Sequence, residues 1–106
     1  MLPDLDNLLI LFEKIHKGGF DTSKELKWGF FFVNDNKEGL ERVFDELKDH
    51  GYLMEKLESD DEEWTLQVSK VDILTAEKLH KRNIAFNALA AHCNVDLYDG
   101  WDVEKL

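Results

Sequence analysis

The chain has 106 residues, with 23 Asp and Glu against 13 Lys and Arg, a net charge of -10. That length fits one domain, residues 1–106, around one core. The sign of the charge argues against nucleic acid as a partner, because phosphate binding relies on Lys and Arg displacing counterions; a basic protein partner, attracted at long range, fits better.

The first segment places Leu5, Leu8, Leu9, Phe12 and Ile15 at helical spacing. Pro3 fits its first turn, where a missing N–H costs nothing. Gly18-Gly19 stops it. Leu26 to Val33 then alternates as a strand. Leu26, Trp28, Phe30 and Phe32 share one face; Lys27, Gly29, Phe31 and Val33 share the other. Apolar residues on both faces mark it as central in its sheet.

Asp35 and Asn36 are capping residue types, and Glu38 stands three after Asp35, as in a capping box. Leu40, Val43, Phe44 and Leu47 form the stripe of the helix that follows, with His50 in its last turn and Gly51 closing it. Tyr52 to Leu57 reads as a short strand. The acidic run Glu58 to Glu63 reads as a solvated turn, and Trp64, Leu66 and Val68 alternate as the partner strand of a hairpin. Thr75 caps a last helix whose buried side is Leu79, Phe86, Leu89, Ala90 and Cys93. Val95 to Tyr98, extending toward Trp101, is the last strand.

After the first helix, the order is strand-helix-strand-strand-helix-strand. This predicts an α+β fold, a ferredoxin-like split βαβ sandwich with an additional N-terminal helix. That helix fits either the helical layer or the open face of the sheet. Trp28, Phe30 and Phe32 with Trp64, Leu66 and Val68 would fill the core. Phe31 and Tyr98 would lie on the opposite face, the surface that RNA-recognition modules use for stacking bases.

Nothing in this pattern forms a catalytic constellation, so no enzyme activity and no cofactor are expected. His16, His50, His80 and His92 lack the spacing of metal ligands. Cys93 falls near a helix C-terminus, where the dipole disfavours a thiolate, and reads as a buried structural residue. Ser59-Asp60-Asp61-Glu62-Glu63 lacks the alternating ligands and glycine of an EF-hand loop. His80, Asn83 and Asn87 share one stripe of the last helix; the stripe reads first as plain surface, with a hydrogen-bonded structural role or a partner contact as the alternative. With one cysteine there is no internal disulfide, which suits a reducing compartment. The N-terminus has no basic region ahead of an apolar run, and no apolar run reaches the roughly 20 residues of a membrane helix. The expected location is the cytoplasm.

The run Asn94-Val95-Asp96-Leu97-Tyr98-Asp99-Gly100-Trp101 resembles the C-terminal signature of the regulator of ribonuclease E activity B (RraB) family, a Val-acid-aromatic-Asp-Gly-Trp pattern. The helix from Thr75 to Cys93 and the helix-Gly51-Tyr52-strand junction are similar to that family's as well. The likeness covers the last half of the chain well and the first half in element order. It implies a ferredoxin-like, cytoplasmic, non-enzymatic protein that binds ribonuclease E outside its catalytic centre, in a disordered arginine-rich region, and reduces its activity. The chain departs from the better-known members in lacking their long acidic tail after this run.

The candidate partner-binding residues are Tyr98, Asp99 and Trp101, then the acids Asp60, Asp61, Glu62 and Glu63. The competing reading of Tyr98-Asp99-Gly100-Trp101 is structural, with Gly100 making a turn or bulge and Trp101 packed on the core. Two other functions stand as alternatives: an immunity-type protein that neutralises a toxin, which shares the small size and acidity, and, against the sign of the charge, an RRM-like RNA-binding module. The strand from Trp64 lacks the basic-aromatic RNP signature the latter needs.

Overall fold

The alternation from Leu26 to Val33 becomes the strand around which everything else is arranged. In the computed structural model, which describes all 106 residues, the elements are α1 (Leu5–Lys17), β1 (Leu26–Asn34), α2 (Lys37–Leu47), β2 (Leu53–Asp60), β3 (Glu63–Asp72), α3 (Ala76–His92) and β4 (Leu97–Glu104). A 3-10 turn, Lys48–His50, follows α2 and ends at Gly51 in the left-handed region, φ 86. The four strands form one open sheet in the order β2-β3-β1-β4. Every adjacent pair is antiparallel. β3 therefore separates β1 from β2, giving an α+β, split βαβ-like arrangement with β1 inside the sheet, as its two apolar faces require.

One sheet face is the core. Trp28, Phe30, Phe32, Leu66 and Val68 are all fully buried there, under Leu40 and Val43 of α2 and Leu79 of α3. Phe86 of α3 stands edge-on to Phe30, Tyr52 and Tyr98, with ring centroids 5.0, 5.7 and 5.6 Å away. Edge-to-face pairs of this kind add attraction beyond the buried area, because ring edges are positive and faces negative. Trp64 joins this core only in part, since it lies half-buried near the hairpin end with the Lys37 ammonium over its ring.

α1 extends the helical layer. Phe12 stacks on Trp28 at 5.8 Å and leans on Trp101 at 6.5 Å, and both tryptophans belong to the core face. The opposite face of the sheet is left without a helix.

The helix ends show local chemistry at work. Asp4 caps α1 by accepting from the Asn7 N–H, so Pro3 lies ahead of the cap and outside the first turn. Asn36, and not the Asp35–Glu38 pair, caps α2 by accepting from the Gly39 N–H at 3.1 Å. The cap is one residue later because Asn34 is the end of β1; it is buried, and its Oδ1 accepts from the Asp96 N–H while its Nδ2 donates to the Asn36 carbonyl. Thr75 caps α3 as expected. At the far end Asn94 takes φ 56, and the Val95 N–H reaches back to the Ala90 carbonyl at 2.8 Å. This is the Schellman closure that Asn tolerates better than other side chains.

Candidate functional site

Two groups of residues carry the functional expectations, and they lie on different strands. The acidic run forms the β2–β3 hairpin end, and the expected six-residue turn is corrected. β2 continues to Asp60 and β3 begins at Glu63, with Asp60 opposite Glu63, so only Asp61 and Glu62 make the tip. Asp61 takes φ 55 there. Charge composition hid the strand, because acidic side chains on an exposed edge strand look like a loop. Asp60, Asp61, Glu62 and Glu63 are all exposed, and none makes an ion pair.

The second group is shaped by a bulge. Phe31 pairs with Gly100 and Phe32 pairs with Tyr98, so Asp99 is an extra residue in β4. In a regular strand Tyr98 and Trp101 would point to opposite faces. The bulge brings both to the core face, Tyr98 beside Phe32 at 5.2 Å and Trp101 beside Trp28 at 5.8 Å. Gly100 has φ 116, a conformation open to glycine and costly for other residues. The expectation that Tyr98 shares the open face with Phe31 is therefore corrected. Tyr98 is 1% exposed, and its hydroxyl donates to Asn83 Oδ1 at 2.6 Å. Burial pushes the Tyr98 hydroxyl well above its ordinary pKa, so it remains a donor. Trp101 stays half-buried, with Asp99 exposed next to Gly100. Removing Asp99 would restore regular pairing without changing either aromatic's face, so packing does not require this residue. Bulges of this sort protect edge strands and re-aim side chains at binding surfaces.

The polar stripe on α3 is also not plain surface. Asn83 is buried at 1%, satisfied by Tyr98 and by Asn87, whose side-chain amide donates to the Asn83 carbonyl. His80 leaves its buried Nδ1 without a partner. Arg82 pairs with Asp72 at 3.1 Å. Cys93 is buried, and burial raises its thiol pKa, which disfavours the nucleophilic thiolate. No group of three or more His, Cys, Asp or Glu side chains gathers where a metal ion would need them.

The open face carries a network that sequence reasoning missed. Lys27 pairs with Glu55 at 2.9 Å, and the Ser69 hydroxyl donates to the same carboxylate oxygen at 2.6 Å. The Ser69 bond, with the Lys27 bond second, holds the Glu55 carboxyl below the usual range. Across β1, Asp102 stands opposite Gly29, and a Cβ added at Gly29 would fall on its carboxylate. Burial, reinforced by the nearby Glu104 charge, raises Asp102, while the Gly29 amide and Lys27 offset part of this. The alternation Trp101-Asp102-Val103-Glu104 is the signal that would have placed Asp102 and Glu104 on one face.

These features define a class. The domain is acidic and open-faced, with exposed acids at the hairpin tip and a half-buried Trp101 near the exposed Asp99 on β4. The family model described as "Regulator of ribonuclease activity B" matches residues 10–103, and the chain belongs to that RraB family. Membership supports a protein-binding regulatory role. A comparison with curated proteins finds no match.

Proposed function

We infer that the protein lowers the activity of a ribonuclease E-type enzyme by binding a basic segment outside its catalytic centre. The observation that carries this is the family match over residues 10–103, which includes β1 through nearly all of β4. The charge of -10 supports it, since an acidic domain is attracted to arginine-rich protein segments and enters such complexes quickly. The strand order β2-β3-β1-β4 with antiparallel neighbours supports a ferredoxin-like classification. The cytoplasm, where such a nuclease acts, is the proposed location.

Within this reading the exposed hairpin acids Asp60, Asp61, Glu62 and Glu63 steer the approach. Asp99 and the exposed part of Trp101 are contacts on the β4 edge. Tyr98 holds the fold and takes no part in contact, since it is buried under α3.

The test is titration of the purified protein against the isolated non-catalytic region of a ribonuclease E-type enzyme at low and high salt. Saturable binding that weakens with salt is expected. Absence of binding at low salt, or binding to the catalytic region alone, would reject the reading.

A further inference from the structure

The sheet face turned away from the helices holds a site that hairpin steering leaves unused. Phe31 is the one aromatic side chain at an open-face position of the strands. Two glycines flank it: Gly29, two residues back along β1, and Gly100, directly across on β4. The Asp102 carboxylate covers Gly29 and the Met1 thioether lies near Gly100, while the Phe31 ring between them stays half-exposed. Across from Gly29 stands Asp102, and one row further Glu104 stands opposite Lys27.

Neither Asp102 nor Glu104 takes part in any ion pair. The nearby cation, Lys27, is already held by Glu55. Asp102 is thus a half-covered carboxylate with no salt-bridge partner. A carboxylate that has no salt bridge and shares an open sheet face with an aromatic ring is an arrangement a guanidinium can satisfy. The planar cation stacks on the ring while its edge donates to the acid. A second copy of this chain is a poor occupant, because two such faces would bring like charges together.

Resting on the reading above, we propose that the open sheet face is where the basic partner docks, as an extended segment that places an arginine side chain over Phe31 and against Asp102 and Glu104. The hairpin acids then govern the rate of encounter, and this face holds the bound segment.

The test uses the full chain, isotope-labelled for amide NMR, titrated with a synthetic peptide alternating arginine and serine, and in parallel with single-stranded RNA. The peptide should shift the amides of Gly29, Phe31 and Gly100. Phe31→Ala and Asp102→Asn should each weaken its affinity about fivefold or more, in line with a desolvated cation–aromatic contact. Asp102→Asn keeps the side chain's shape, so it reads binding even if Phe31→Ala loosens the sheet; the unbound amide spectrum of each variant reports its fold. Peptide shifts confined to Asp60–Glu63, with both variants binding like the parent, would overturn this proposal and leave acidic docking intact. No peptide binding at low salt would overturn both readings. Shifts at Phe31 produced by RNA and not by the peptide would overturn the choice of a protein partner.

Discussion

Tyr98 and Asn83 show how one hydrogen bond can fix a fold. Both are buried to within 1% exposure, and the 2.6 Å bond is the only one made by either side-chain group to the other's element. Tyr98→Phe would leave the side-chain Oδ1 of Asn83 without its donor, at a cost of about 1–3 kcal/mol. Denaturant unfolding should show a lower midpoint at an unchanged slope; an unchanged midpoint would mean that the hydroxyl contributes nothing. Asp102 and Glu55 make opposite contributions to pH dependence. Asp102 is raised, so its native state binds a proton more tightly than the unfolded chain. That lowers stability above the native pKa, and the loss is recovered as pH falls through it toward the unfolded value. Glu55 is lowered, so it stabilises the fold above the usual carboxylate range and loses that effect as pH falls through its native pKa. Carboxyl NMR titration should therefore give Asp102 a midpoint above, and Glu55 a midpoint below, the ordinary range. The reverse order would contradict the network described.

Among the elements, β4 is the one whose pattern misleads. The alternation in β1 and the 3.6-residue stripe in α2 were legible, because each buries one face and leaves no other periodicity possible. The Tyr98–Trp101 run breaks period 2 by one residue. Only the pairing register with Phe31 and Phe32 reveals that both aromatics turn inward. The β2–β3 tip differs from its sequence pattern for another reason: an exposed edge strand needs no apolar residue, so Glu58 to Asp60 carry no strand signal. The candidate site was legible as residue types and not as surfaces, since facing depends on the bulge. Two substitutions test the β4 account. Gly100→Ala should cost about 1–3 kcal/mol, the price of a non-glycine residue at φ 116. Trp101→Ala should cost about 2–4 kcal/mol, because it empties the contact shared with Trp28 and Phe12. Thermal unfolding of both, compared with the parent, reports these losses. Parent-like stability in Trp101→Ala would make that side chain a surface anchor instead of packing.

At the scale of the whole molecule, charge and core are divided between surfaces. Helices α1, α2 and α3 close one sheet face around nineteen buried hydrophobic residues, while the acids stand on the hairpin end and along β4. Of 23 acidic residues, five take part in ion pairs, so most of the negative charge is not neutralised by a neighbouring cation. The field of such charge affects how fast a complex forms more than how long it lasts. Replacing Asp60, Asp61, Glu62 and Glu63 with their amides should slow association with a basic ribonuclease segment and flatten its salt dependence, leaving dissociation nearly unchanged. Stopped-flow kinetics distinguishes this from a change confined to dissociation, which would make the tip a binding contact and not a steering device.

Restraint of a ribonuclease through contact away from its catalytic centre would be read in an RNA cleavage assay. A purified ribonuclease E-type enzyme would be assayed with and without the protein, both intact and stripped of its non-catalytic region. Slower cleavage by the intact enzyme, relieved by salt, and no effect on the stripped one are expected. Equal inhibition of both forms, or none of either, would contradict this mode of restraint.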